Sequence, residues 1–178
     1  MSTNPFQKVA GAKGRVNSEY FRAGRYLFYI RKFSWMKSRK DENLVLFECL
    51  TVQVLDPSAA AADPKGPHRV GDNATWCINM KFDASPGALK AAMRDIFGVS
   101  EEDVTEELCL MAAGDTQPLA GLYVEFDNKI IKTKEKGLPF TLCQVRRRWS
   151  ASEVKEKVSA ETLAQLGIDT QRADLPAA

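Results

Sequence analysis

Residues 73–82 constrain the fold of this chain more than any other segment, because apolar and polar side chains alternate along them. The apolar positions are Ala74, Trp76, Ile78, Met80 and Phe82. Alternation with a period of two is typical of a β-strand that buries one face. We therefore predict a strand from Asn73 to Phe82, and we assign Trp76 to the core in preference to a role in stacking on a ligand.

Four other segments are rich in β-branched and aromatic residues, and they are also predicted to be strands. These segments are Arg25–Lys37, Leu44–Leu55, Leu119–Ile131 and Phe140–Arg148. Short polar turns follow the first and the third of them. Each of the two pairs should therefore form an antiparallel hairpin.

Two helices are predicted between the third strand and the fourth. The first spans Ser85 to Gly98, with Ser85 as its N-cap and an apolar stripe along one side. The second begins at Ser100-x-x-Asp103, which resembles a capping box, and ends at Gly114. Three strands, a helical insert and two strands are the arrangement of an OB-fold, a partly open Greek-key barrel. Another small β-barrel and an α+β sandwich are the alternatives.

The predicted fold class is thus mainly β: a five-stranded OB-type barrel with a helical insert between strands 3 and 4. Residues 1–20 are expected to form a flexible N-terminal arm and residues 21–149 the barrel domain. Residues 150–178 are expected to form a C-terminal tail that is partly helical or disordered. Its short helices are predicted at Ala151–Val158 and Ala160–Leu166.

Basic residues are concentrated in two segments, although the formal net charge is only +2. Nine of them lie between Lys13 and Lys40 against one acid, and seven lie between Lys129 and Arg148, also against one acid. Such segregation gives a nearly neutral protein a basic face. That distribution is typical of proteins that bind polyanions.

The first predicted strand mixes cations with aromatic rings on one set of alternate positions. Those positions are Arg25, Leu27, Tyr29, Arg31, Phe33, Trp35 and Lys37. Cations attract phosphates and flat rings stack on unpaired bases, so this mixture predicts a surface for single-stranded nucleic acid. The alternative is that Phe33 and Trp35 pack under a loop or against a helix.

Further candidate binding residues lie outside that alternating set. They are Arg39 and Lys40 in the first turn, Lys81 in the third strand, Lys132, Lys134 and Lys136 in the second turn, and Arg146 and Arg148 at the end of the last strand. Loops between strands border the ligand groove of OB-folds, which favours contacts with phosphates. Solvated turns and an edge strand that resists aggregation would explain the same cations without a ligand.

Signals for an enzyme, a metal site or a membrane span are weak. The chain contains no Gly-x-x-x-x-Gly-Lys-Ser/Thr, Gly-x-Gly-x-x-Gly or His-Glu-x-x-His motif, and its one histidine, His68, stands in a loop. Four widely spaced cysteines indicate the reduced thiols of a cytoplasmic protein. No apolar run approaches the ~20 residues of a membrane helix. We therefore expect no catalysis, no metal, no cofactor and no membrane partner.

Several short motifs resemble those of the phage-encoded single-stranded DNA-binding proteins that have an OB-fold. The matching stretches are Gly24-Arg25-Tyr26, residues 44–55, Val70-Gly71-Asp72, Pro118-Leu119-Ala120-Gly121 and Lys132-Thr133-Lys134…Gly137…Pro139-Phe140. The resemblance implies binding of single-stranded DNA without sequence preference in replication, recombination or repair. It also implies replication or recombination proteins as partners and the host cytoplasm as location.

The residues do not distinguish DNA from RNA, and they leave the oligomeric state open. The competing interpretation is a structural or assembly protein, such as a virion component, whose rings would line a subunit interface. Burial of Tyr29, Phe33 and Trp35 inside the barrel would count against the predicted binding face and favour that alternative. Arginines on opposite sides of the sheet would do the same.

Overall fold

The computed structural model describes residues 19–133 and 136–174. The strands in these ranges are β1 (Glu19–Tyr20), β2 (Gly24–Lys37), β3 (Asn43–Asp56), β4 (Asn73–Asn79), β5 (Tyr123–Lys132) and β6 (Pro139–Trp149). The α-helices are α1 (Ser85–Phe97), α2 (Glu106–Ala112), α3 (Ala151–Lys157) and α4 (Ala160–Leu166). The mainly β class is confirmed, and so are the five predicted strands and the helices between the third and fourth of them.

The strands form one mixed sheet with the order β1-β4-β3-β2-β5-β6. All neighbours are antiparallel except β1, which runs parallel to β4. Within the described ranges β4 and β6 do not pair, so the sheet is not closed. The predicted five-stranded OB-type barrel is therefore wrong in two respects: the sheet has a sixth strand, taken from the predicted arm, and it stays open.

A β-bulge at Arg31 changes which side chains of β2 share a face. The ladder to β3 runs through Ile30 and resumes at Lys32, which leaves Arg31 without a direct partner. One extra residue in a strand shifts its alternation by one position. Phe33, at an odd position, therefore lies in the same core as Phe28 and Ile30, which are at even positions.

The first face of the sheet packs against α1 and α2 and holds the larger of two cores. Trp76 belongs to this core, as predicted, and its ring stacks on Phe47 with centroids 5.2 Å apart. Helix α1 contributes Leu89, Met93 and Ile96. The same helix lies against both β4 and β6, the strands at either side of the opening.

The second face of the sheet holds a smaller core, which the C-terminal helices cover. Leu27 of β2 packs there together with Val154 of α3. Beyond α4, Arg172 brings the chain back against Gly121, which lies just before β5. The φ of Gly121 is +93°, and a Cβ added to it would lie 2.8 Å from the Cβ of Arg172. Only glycine tolerates that backbone and that approach. Residues 150–174, predicted as a tail, are thus packed on the sheet; their two helices agree with the prediction.

Both inserted helices are capped by a different residue from the one predicted, although α1 does begin at Ser85. The N-cap of α1 is Ala84 rather than Ser85. The N-cap of α2 is Thr105, whose hydroxyl accepts a hydrogen bond from the amide of Leu108 at 3.3 Å. Ser100 and Asp103 do bond to each other, at 2.7 Å, but they close a turn before the helix. The helix is therefore capped by Thr105, five residues after the serine that was predicted to start it.

Candidate nucleic-acid interface

The three rings predicted to line one exposed face of β2 lie in three different environments. Phe33 is 2% exposed in the first core, where the bulge has placed it. Tyr29 packs on Tyr123 beside the second core, and burial raises the pKa of its phenol. Trp35 is 56% exposed at the far end of the strand. The expectation of a common face is wrong, and Phe33 has no free ring surface on which a base could stack.

Two of the predicted arginines are held by acids that project from β5. Arg25 lies 3.3 Å from Glu125, and Arg146 lies 2.7 Å from Asp127. Glu125 is 8% exposed and also accepts a hydrogen bond from the indole of Trp149 at 2.9 Å. These guanidinium groups are partly neutralised, which reduces what they offer to a phosphate.

Arg148 and Arg31 are engaged with protein groups as well. Arg148 donates from Nε to the carbonyl of Ala173 at 3.0 Å, and burial lowers the pKa of its guanidinium. Arg31, at the bulge, donates to the Oδ1 of Asn73 at 2.7 Å and remains exposed. Each of these four arginines of β2 and β6 is therefore bonded to a group of the protein itself.

Other predicted cations meet at one end of the molecule, around the turn between β2 and β3. Lys37 contacts Asp41 within this turn at 3.3 Å. Lys81, just after β4, bonds to Glu42 of the turn at 2.6 Å, and this bond lowers the pKa of the Glu42 carboxyl. Arg39 and Lys40 are exposed, and the described residues provide no acid within ion-pair distance of either.

The hairpin between β5 and β6 borders the same stretch of β4. Thr133, in that hairpin, and Phe82, after β4, line one cavity of about 440 Å³. Lys132 and Lys136 of the hairpin are exposed; Lys134 lies outside the described residues. We call the end of β2 at Trp35, the β2–β3 turn (residues 38–42), the segment 79–82 and the described hairpin residues 132, 133 and 136–140 together the basic end.

Two exposed aromatic rings of the basic end were not among the predicted site residues. Phe82 is 58% exposed and Phe140 is 43% exposed, and both line the cavity. Phe82 was assigned to the apolar face of a strand, but β4 ends at Asn79 and the chain turns before Phe82 is reached. The adjacent Asp83 was the available sign of an earlier strand end, since aspartate favours turns.

The cavity, which we call the slot, lies between the two strands that do not pair. Its walls come from β4, from the start of α1 and from β6, including Ile78, Ala88 and Cys143. The lining is mostly apolar, with the hydroxyls of Ser85 and Thr141 among it. Lys81 lies over the ring of Phe82, with Nζ 5.1 Å from its centroid. A volume of this size is within the range of ligand pockets.

Neither a metal centre nor a membrane helix emerges from the described part of the chain. It contains no group of three or more His, Cys, Asp or Glu side chains arranged for a metal ion. No helix there has the length and hydropathy required to cross a bilayer.

No protein-family model matches the chain, and no curated protein matches it. The resemblance to phage single-stranded DNA-binding proteins therefore stays a prediction.

Proposed function

We propose that the chain binds single-stranded nucleic acid, in the first instance single-stranded DNA, at the basic end and without catalysis. The observation that carries the proposal is the combination of exposed cations with exposed rings there. Arg39, Lys40, Lys132 and Lys136 are available to phosphates, and Trp35, Phe82 and Phe140 expose ring surface. Electrostatic contacts with the backbone and stacking on the bases are what such a ligand requires.

The position of the basic end also supports this function. It is bordered by the β2–β3 turn and the β5–β6 hairpin, the loops that border the ligand groove in OB-folds. The order of three strands, helical insert and two strands supports a relation to that fold in an open, six-stranded form. In this proposal the chain covers exposed single strands in the cytoplasm during replication, recombination or repair, and needs no cofactor.

Binding is tested by titrating fluorescently labelled single-stranded DNA, single-stranded RNA and duplex DNA at several salt concentrations. We expect single strands to bind more tightly than the duplex, because rings can stack only on unpaired bases. Affinity should fall steeply as salt rises. Absence of binding to all three at low salt would refute the proposal, and equal binding to duplex would refute the role of the rings.

The assembly-protein alternative is favoured by one specific observation at the end of β2. β5 pairs with β2 only from Gly24 to Tyr29. Nearer the end of β2, outside this pairing, the adjacent side chains of Trp35 and Met36 are exposed. An exposed apolar strand end is suited to pairing with a second copy. Size-exclusion chromatography with and without oligonucleotide separates the two functions, since stable large assemblies without affinity for nucleic acid would favour assembly.

A further inference from the structure

We propose that the slot between β4 and β6 takes one unstacked base of the bound strand, an inference that rests on the proposed binding of single-stranded nucleic acid. The slot would then add a second kind of contact to the basic end: enclosure of a base rather than stacking on an open surface. It would also discriminate against duplexes, whose bases are already paired and stacked.

The slot exists because β4 and β6 do not pair with each other in the described residues. β1 pairs with β4 only at Ala74 and Thr75, so β1 does not cover the stretch from Trp76 to Asn79. Those four residues line the slot on one side, and Phe140 to Cys143 of β6 line it on the other. Helix α1 closes it from below through Ala84, Ser85 and Ala88. Small side chains at the start of the helix are what leave the space open.

The shape and chemistry of the slot suit a flat ring that has polar edges. Trp76, Phe82 and Phe140 supply ring surface, and Ile78 and Cys143 supply a floor that is almost fully buried. The side chains of Ser85 and Thr141 line the slot as well, and their hydroxyls can pair with the polar edge of a base. A purely apolar ligand would leave those hydroxyls unpaired.

Charge at the mouth of the slot selects a ring that is attached to phosphates. Lys81 lies beside Phe82, and Lys132 directly precedes the slot residue Thr133. A base inserted between them would place its flanking phosphates within the reach of Lys132 and of Lys81, which also bonds to Glu42 at 2.6 Å. An uncharged aromatic compound would gain nothing from either lysine, which favours a nucleotide in a strand as the occupant.

The test fills the slot without changing any charge. Ala88→Met places a flexible side chain into the slot from α1, whereas the control Ala91→Met lies on the exposed side of the same helix and outside the slot lining. We expect Ala88→Met to weaken binding of labelled oligo-dT about tenfold, while Ala91→Met leaves it unchanged. Circular dichroism and thermal melting establish that both variants are folded.

A second measurement uses the native slot. In the Trp35→Phe variant, oligo-dT should still quench tryptophan fluorescence, because Trp76 lines the slot and Trp149 is buried under the C-terminal helices. An abasic strand with the same number of phosphates should cause little quenching.

Each outcome has a definite meaning. If wild type binds oligo-dT, but folded Ala88→Met binds equally well and Trp76 is not quenched, the slot inference is wrong and the proposed function stands. If wild type does not bind at all, the proposed function itself fails. If a fluorescent fatty acid binds in the slot and oligo-dT does not displace it, the slot belongs to an apolar ligand and the inference is overturned.

Discussion

The basic end and the second face of the sheet both carry basic side chains, but these are exposed to solvent at the basic end and paired with carboxylates on the second face. On the second face, Arg146 and Arg25 meet the carboxylates of Asp127 and Glu125, and helices cover the neighbouring apolar residues. At the basic end, Arg39 and Lys40 face solvent, and no acid of the described residues lies within ion-pair distance of either. The same residue types therefore hold the fold together in one region and remain available to a ligand in the other.

The difference shows that the density of basic residues along a chain does not locate a binding surface. Arg25 belongs to the same basic segment as Arg39, and Arg146 belongs to the second basic segment. Their acidic partners come from β5, which is distant in sequence from β2 and adjacent to it only in the folded sheet. Neutralisation of a cation is thus a property of strand register, and the sequence alone conceals it.

The largest expected effect is a difference between the two regions in how much a truncated side chain lowers the free energy of unfolding. Leu27→Ala removes a side chain that is 0% exposed under the C-terminal helices, and it should lower the free energy of unfolding by about 2–5 kcal/mol. Phe82→Ala, at the basic end, should lower it by less than about 1 kcal/mol. Urea unfolding measures both. Similar losses in the two variants would show that the basic end is as tightly packed as the covered face.

Acid should destabilise the protein through the enclosed His68, which is 1% exposed. Its Nε2 accepts a hydrogen bond from the amide of Arg22 at 3.0 Å, and burial, followed by the charge of Arg22, lowers its pKa to about 4. Asp63 and Asp72 oppose that shift only in part.

The unfolded chain binds a proton at His68 near pH 6.5, whereas the folded chain does not until about pH 4. Stability from this group is complete above pH 6.5 and is lost as the pH falls towards 4, by up to about 3 kcal/mol. Urea unfolding at pH 7.5 and 4.5 should show a smaller pH effect in His68→Gln than in wild type. Lys65→Gln, exposed in the same loop, should retain the wild-type effect. An equal effect in His68→Gln would assign acid sensitivity to other groups.

Two matched pairs of substitutions sharpen the comparison of the cations. Arg39→Gln with Lys136→Gln and Arg25→Gln with Arg146→Gln each remove two positive charges, from the basic end in the first pair and from the acid-paired arginines in the second. The first pair should weaken binding of oligo-dT by about 10- to 100-fold and reduce the salt dependence, as a slope of log affinity on log salt, by about 1.4. The second pair should change affinity by no more than about threefold. Equal losses would mean that net charge alone determines binding.

The smallest expected loss of binding concerns the rings of β2. Trp35→Ala should weaken binding of oligo-dT by about five- to tenfold with unchanged stability, because an exposed ring can stack without supporting the core. Phe33→Ala should instead lower the free energy of unfolding by about 3–5 kcal/mol. Titration and urea unfolding of both variants provide the measurement. A loss of affinity in folded Phe33→Ala, with none in Trp35→Ala, would reverse the roles derived from the bulge.

Much of the fold could be predicted from the sequence, since local patterns determine local elements. The alternation of residues 73–82 and the aromatic composition of residues 25–37 led to β4 and β2 with end points correct to within a few residues. The C-terminal helices were predicted as short helical segments, and in the structure each begins at a serine that caps it, Ser150 and Ser159. Such signals act over a few residues, and they are therefore visible without the rest of the chain.

The candidate site was predicted less well, because it depends on two events that have no local signal. The bulge at Arg31 exchanges the faces of β2, so Phe33 is buried although its position in the alternation indicated exposure. The order of the strands leaves β4 and β6 unpaired, which creates the slot and exposes Phe82 and Phe140.

By itself, then, the sequence determined the strands, the helices and the concentration of cations, since each follows from neighbours along the chain. Only the tertiary structure decided which cations meet acids, which rings reach solvent and where the sheet stays open. Those outcomes depend on contacts between residues far apart in sequence, and no short-range pattern encodes them.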